Sequence, residues 1–319
     1  MSHSSFDRRG FLRTAAGATV AVSAAALAGS LPAAASQGGG RLVPQNQIGI
    51  QLYSVRDKVS QLGFRTVFEE LSRIGYREIE FAGYTQNTDI LGRQITVPEI
   101  AQLLCDFGLK AVGSHVGLPN FRANLEGELD NAEILGLRHI GTANAPTNVT
   151  TVDGYRAAAD EFNTFGAAAR RRGMKFYQHN HAGEFAFATD RPDVRLYDVF
   201  FRHTDPRLVY LEMDVYWAYV GQHLYPGFEP ADYITRAPHR YPLLHLKDGD
   251  ENPDNPNGYD IVEFGAGDLP YRKFLRRVNG RGRYHGIWEQ DTAPNTLPNP
   301  PGSFAAALRS FRALKDLRG

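Results

Sequence analysis

Four stretches of this sequence put imidazole and carboxylate groups where a metal ion or an acid–base pair would need them. They are Tyr177-Gln178-His179-Asn180-His181-Ala182-Gly183-Glu184, Leu211-Glu212-Met213-Asp214-Val215-Tyr216-Trp217, Leu243-Leu244-His245-Leu246-Lys247-Asp248 and Gly286-Ile287-Trp288-Glu289-Gln290-Asp291. Each starts as a short apolar run and ends in polar residues, as a strand does on leaving a core. Residues two apart on a strand share a face, so Glu212 points with Asp214, and His245 with Lys247. A mixed imidazole and carboxylate site suits a borderline or hard divalent ion: Mn2+, Zn2+, Co2+ or Mg2+. Glu212, Asp214 and Glu289 gathered without a counter-ion would repel one another at high cost in a dry interior. No arginine stands in these four motifs to relieve that repulsion. Taken singly, each residue is more often a loop or capping hydrogen-bonder than a ligand, so the expectation rests on the four together.

The elements that must position these groups can be read in the same way. From Ile48 onward, short apolar runs alternate with longer segments at helical spacing. Strands are expected at Ile48–Tyr53, Glu78–Ala82, Lys110–Ser114, His139–Thr142, Lys175–His179, Val209–Asp214, Leu243–Leu246 and Gly286–Glu289. Helical spacing joins Val67, Leu71 and Ile74; Ile100, Leu103 and Leu104; and the Ala-rich Tyr155–Arg172. Gly75, Gly108, Gly136 and Gly173 stand where helices should stop before the next strand, because glycine tolerates a left-handed backbone. Eight such units predict an α/β fold, a single (β/α)8 TIM barrel with its active site at the C-terminal ends of the strands. A doubly wound open sheet is the alternative, but no glycine fingerprint follows the first strand. Asp250–Gly258 and Asn295–Gly302 are expected as surface loops on the site's face.

The bulk numbers fit one such domain. The chain has 319 residues, 42% hydrophobic and 22% charged, with a formal net charge of zero. There is no basic excess to displace counterions from a nucleic-acid backbone, so no nucleic-acid partner is expected. The one cysteine, Cys105, excludes an intramolecular disulfide or a cysteine-based zinc site. Residues 1–40 read as a leader and short linker, and 41–319 as the barrel. Arg8-Arg9 with Phe11-Leu12, an Ala-rich middle and Ala33-Ala34-Ala35-Ser36 have the layout of a signal peptide. The paired arginines resemble the twin-arginine export signal, which implies the export machinery as a partner and a periplasmic or extracellular location. That route carries folded proteins, often with a cofactor already loaded. The apolar stretch is dominated by weakly transferring Ala, Gly, Ser and Thr, which argues against a membrane anchor. Oligomeric state is left open, a homo-oligomer included.

The motifs together resemble the xylose isomerase-like barrel superfamily of sugar phosphate isomerases and epimerases. Gly49-Ile50-Gln51-Leu52-Tyr53-Ser54, Gly75-Tyr76-Arg77-Glu78-Ile79-Glu80-Phe81, Leu211 to Trp217, His245-Leu246-Lys247-Asp248 and Gly265-Ala266-Gly267-Asp268-Leu269 carry the resemblance. It implies one divalent ion held by Glu, Asp, His and Glu from strands five to eight. Asp214, His245 and Glu289 map directly. Where many members have Glu-Asn-His, this chain has His179-Asn180-His181. The fourth place is open between His179, favoured because it lies on the strand, and Glu184, five residues on.

The chemistry expected is an isomerase or epimerase acting on a sugar or keto-sugar through a metal-stabilised enediolate. Glu289 or Glu184 would be the base, with His181 as partner and Lys247 steadying an oxyanion. His115, Trp217 and Glu212 are expected to contact substrate. Tyr53, Tyr216 and Trp288 are further candidates for an apolar wall, with core packing favoured for Trp288. An exported enzyme would meet unphosphorylated carbohydrates. Three alternatives stand beside this reading: a lyase or dehydratase on a 3-keto-sugar or glycoside using the same enolisation, a metal-independent glycoside hydrolase, and a non-catalytic carbohydrate-binding protein.

Overall fold

Eight parallel strands form the centre of the molecule. The computed structural model describes residues 39–280, 283–295 and 302–319, so all but the last two residues of the expected leader and linker lie outside it. The strands are β1 (Ile48–Gln51), β2 (Glu78–Phe81), β3 (Lys110–Ser114), β4 (His139–Thr142), β5 (Lys175–His179), β6 (Val209–Asp214) and β7 (Leu243–Leu246). A hairpin, β8 (Asp248–Glu251) and β9 (Tyr259–Val262), precedes the last barrel strand, β10 (His285–Trp288). The order in space is β3-β2-β1-β10-β7-β6-β5-β4. The two ends of that series meet at an isolated parallel bridge between His115 and Gly141, where the Val116 N–H donates to the Gly141 carbonyl at 2.8 Å. The sheet is thereby a nearly closed barrel.

Five of the expected strands, β3 to β7, run over the residues predicted for them. β1 stops two residues early because the Gln51 side chain accepts the Tyr53 N–H at 3.2 Å and starts a 3-10 turn. The loop expected at Asp250–Gly258 proves to be largely the turn of the β8–β9 hairpin. Asn252 and Gly258 pair there through their backbones at 2.9 Å, and the Asn255 side chain donates to the Tyr259 carbonyl at 2.9 Å. β8 is Asp248-Gly249-Asp250-Glu251 with no apolar residue, which is why the stretch read as loop. The second expected loop, Asn295–Gly302, falls mostly on residues outside the description.

Helices enclose the barrel: α1 (Arg56–Ile74), α2 (Val97–Asp106), α3 (Leu118–Ile134), α4 (Val152–Arg171), α5 (Leu196–His203), α6 (Val215–Leu224), α7 (Pro230–Arg236), α8 (Tyr271–Val278) and α9 (Ser303–Asp316). α4 shows how sequence sets each unit. Thr151 caps it by accepting the Gly154 N–H at 3.0 Å. Its inward stripe of Tyr155, Ala159, Phe162 and Ala169 is buried against the sheet. Phe162 meets Phe176 of β5 edge to face at 5.5 Å, and burying each such ring contributes roughly 1.5–3 kcal/mol. Gly173, at φ 75°, then turns the chain into β5.

The apolar core lies between the helices and the outward faces of the strands. Ile48 and Ile50, Ile79 and Phe81, and Leu211 and Met213 are all buried there. The alternate residues point inward and are largely polar: Gln51, Glu80, Tyr177, His179, Glu212, Asp214, His245 and Glu289 are all buried. Inward polarity concentrated toward one end is what this barrel offers to a ligand.

Candidate metal centre

His179 ends β5, Asp214 ends β6, His245 lies in β7 and Glu289 follows β10. Their donor atoms all lie within 4.8 Å of one another, and all four residues are buried. His245 Nδ1 is 2.9 Å from Glu289 Oε2 and 4.0 Å from Asp214 Oδ2, and His179 Nε2 is 3.7 Å from Asp214 Oδ2. Asp214 serves two purposes. Its Oδ1 caps α6 by accepting the Trp217 N–H at 2.9 Å, which leaves Oδ2 buried without a hydrogen bond. Burial pushes this carboxyl up to about 6, partly offset by Lys247. Two ring nitrogens and two carboxylates converging here form a donor set that fits a divalent ion.

Lys247, two residues beyond His245, reaches the same oxygens. Its Nζ lies 3.0 Å from Asp214 Oδ2, 3.0 Å from Glu289 Oε2 and 2.8 Å from Asp291 Oδ2. Burial alone would lower its pKa, but Asp214, Glu289 and Asp291 hold it well above the usual lysine value. Glu289 is pushed up by burial, yet Lys247 and His245 outweigh that and hold it well below the ordinary carboxylate range. Asp248, the next residue, fixes the lysine's strand end. Its Oδ2 accepts the Gly265 N–H at 2.8 Å and the Gly267 N–H at 3.4 Å, which ties the Gly265-Ala266-Gly267 turn to β8. A Cβ at Gly267 would fall 2.4 Å from the Gly249 carbonyl oxygen, so only glycine fits that approach.

The structure separates the two contenders for the fourth position. His179 is in the converging set. Glu184 is not: its Oε2 accepts the His181 backbone N–H at 2.9 Å within a 3-10 turn at Gly183–Phe185, and only 3% of the residue is exposed. Burial lifts its carboxyl to about 7. The expectation of Glu184 as base or ligand therefore meets a carboxylate used to brace a turn.

His181 stands at the mouth, half-buried, with its ring 5.8 Å from Trp217 and 5.0 Å from His179. Burial, then Lys247, lowers it to about 4, so it is uncharged at neutral pH. Trp217 is half-buried and lies 5.6 Å beneath the Lys247 ammonium. The other aromatics proposed for a wall lie elsewhere. Trp288 is fully buried against Tyr76 on the outer face of β10. Tyr216 is buried with its hydroxyl on the Tyr259 carbonyl at 3.1 Å, and Tyr53 is exposed, with the Arg56 guanidinium 4.0 Å from its ring.

Glu212 and His115, expected at the substrate, form a layer beneath the four donors. Glu212 has no exposed surface, and its Oε2 lies 2.7 Å from His115 Nε2 and 3.1 Å from His179 Nδ1. The Glu212 carboxylate is thus shared between two histidine rings. His115 keeps 13% of its side chain exposed. Sequence reasoning missed four residues here: Gln51, Glu80, Tyr177 and Asp291. The signal for Glu80 was present in the alternation Glu78-Ile79-Glu80, which sends both acids to the barrel's inside.

Known proteins share this fold. The family model described as xylose isomerase-like TIM barrel matches residues 68–314. Inosose dehydratase of Geobacillus kaustophilus is 26% identical over 232 residues, covering 63% of this chain and 69% of that one. The solved structure of a sugar phosphate isomerase/epimerase from Parabacteroides distasonis superposes with a TM-score of 0.67 at 21% identity, covering 89% of this chain and 96% of that one. The IOLI protein, solved with a bound zinc atom, superposes with a TM-score of 0.61 at 13% identity over 84% of this chain and 96% of its own. The chain belongs to the xylose isomerase-like TIM barrel family, a family of enzymes that includes sugar isomerases and epimerases.

Proposed function

We propose that this protein is a divalent-metal-dependent enzyme that enolises a sugar or keto-sugar. The convergence of His179, Asp214, His245 and Glu289 beside a charged, buried lysine carries this reading. These four residues hold the ion, which when bound supplies Lewis-acid polarisation of a carbonyl and its neighbouring hydroxyl. The chain's own groups do the rest. His181, uncharged at the mouth, takes the proton from the carbon next to the carbonyl. Lys247, held charged, donates hydrogen bonds to the oxygen on which negative charge develops. Trp217 gives a sugar ring an apolar wall.

Two outcomes follow the same first step. Returning the proton to the other carbon or the other face gives an isomer or an epimer. Delivering it instead to a β-hydroxyl expels water, so the base's proton and the leaving hydroxide together account for the molecule lost. The second outcome is supported by the inosose dehydratase relative. With the leader read as a twin-arginine signal, the substrate is an unphosphorylated carbohydrate met outside the cytoplasm. The absence of an arginine cluster in the strand-end motifs fits a substrate without phosphate.

The test is metal analysis of the purified protein, followed by NMR and mass spectrometry in D2O with sugars and 3-keto-sugars. Deuterium gained at unchanged skeleton marks isomerase or epimerase action; loss of water marks dehydration. The reading fails if no ion can be loaded and Asp214→Ala changes neither exchange nor turnover.

A further inference from the structure

Each of the two histidines in the candidate centre has one ring nitrogen turned toward the four-donor cluster and one turned away. Both of the nitrogens turned away meet a fully buried carboxylate. His245 Nε2 lies 2.5 Å from Glu80 Oε2, and His179 Nδ1 lies 3.1 Å from Glu212 Oε2. A carboxylate accepts only from a ring nitrogen that carries a proton. His245 Nδ1 also lies 2.9 Å from Glu289 Oε2, a contact that an ion held between the two would replace. With the ring proton kept on the nitrogen against Glu80 or Glu212, the opposite nitrogen, His245 Nδ1 or His179 Nε2, is the one whose lone pair can face the ion. We infer that Glu80 and Glu212 are positioning residues that fix the tautomer and ring orientation of the two histidine ligands, Glu80 for His245 and Glu212 for His179. The inference rests on the metal reading of the site proposed above.

Glu80 is built into place. Its Oε1 accepts the Tyr177 hydroxyl at 2.6 Å, and its Oε2 accepts the Gln51 amide at 2.9 Å. A register shift between Ile79 and Glu80 in the β2–β3 pairing re-aims the side chain. Opposite it on β3 stands Gly113, where a Cβ would come within 2.4 Å of Glu80 Oε1. The glycine leaves the room that the carboxylate occupies. Glu212 is shared with His115, whose Nε2 lies 2.7 Å away, and His115 Nδ1 meets the Gln51 amide at 3.3 Å.

His115, His179, Glu212 and His245 also bring donor atoms within 4.8 Å of one another. Filling this lower set and the upper one together would require both His179 and His245 to bridge two ions with no ring proton left. A supporting layer needs no such double deprotonation, so one ion per chain is expected.

The experiment titrates metal-free protein with Co2+, reading stoichiometry, affinity and the visible spectrum of the bound ion. Wild type is expected to take up one Co2+ per chain. Glu80→Ala and Glu212→Ala are expected to weaken binding about 10–100-fold and to change the spectrum. Glu80→Gln, which keeps an acceptor, restores most of the affinity. Gly113→Ala pushes the carboxylate aside while leaving Glu80 present, and is expected to weaken binding in the same direction. Phe81→Leu, on the outer face of the same strand, lowers the melting temperature but binds as wild type does. Wild-type affinity and spectrum in the Glu80 and Glu212 variants overturn the inference and leave the metal site standing, as do two ions per wild-type chain. Equal weakening by Phe81→Leu also overturns it. No Co2+ uptake by wild type overturns the metal site itself and the inference with it.

Discussion

The two ends of the barrel carry the same residue types and use them differently. At the end where the strands begin, His285 Nδ1 pairs with Glu78 Oε2 at 2.7 Å, and His139 Nδ1 donates to the Val112 carbonyl at 2.9 Å. Lys175 lies over the Tyr210 ring at 4.9 Å. The carboxylate there, Glu78, has a histidine partner of its own. At the other end Asp214, Glu289 and Asp291 surround a single lysine, and Glu80 and Glu212 lie against His245. Histidine is common to both ends. Carboxylates clustered around one lysine are found at one, and that clustering is what would suit a cation there.

Substitutions within this cluster should have the largest effects. Asp214→Ala deletes a donor, so its loss of metal affinity, read by titration, is expected to exceed the ~100-fold that follows loss of a supporting partner. Lys247→Met should split two measurements. Turnover falls on the order of 10²–10³-fold with loss of the oxyanion donor, while metal binding tightens because a competing cation leaves Asp214 and Glu289.

Changes at the opposite end should act on stability alone. Burial lowers His139 to about 4, against an ordinary value near 6.5. The unfolded chain then binds the extra proton between those values. Stability is therefore intact above pH ~6.5 and falls as pH drops toward ~4, by about 3 kcal/mol in all. Denaturant titrations across that range should show the slope, and His139→Gln should flatten it. The smallest effect belongs to His285→Ala. Its ion pair with Glu78 is partly exposed, so its loss should cost under ~1 kcal/mol and leave metal uptake unchanged.

The contrast also explains what could be read in advance. Strands and helix stops were legible because apolar runs and glycines are local signals. Gly75, at φ 124°, has no room for a Cβ, which would strike the Phe311 ring at 2.6 Å. The convergence of Asp214, His245 and Glu289 was legible because each lies at or near the end of a strand. Glu80 was not, for a reason of height. Glu78 and Glu80 share a face of β2, yet Glu78 pairs with His285 at the lower end while Glu80 reaches His245. Two residues of rise, about 7 Å, separate the two environments, and only the register of β2 against β1 and β3 sets which acid lies where. Glu184 misled for a related reason. Its distance along the chain from His179 does not show that the 3-10 turn folds its carboxylate back onto the His181 N–H. Tyr216 and Trp217 are neighbours in sequence, but α6 begins there and sends one into the core and the other to the mouth.

The seam of the barrel also touches the site. β3 and β4 are joined where His115 bridges Gly141, and that same histidine holds Glu212 beneath His179. Opening the seam is therefore expected to loosen the support beneath His179 as well, which would couple the two. An ion bound above should act as a latch on a joint it does not touch. Amide hydrogen exchange at Val116, whose N–H crosses the seam to Gly141, should slow when metal is added.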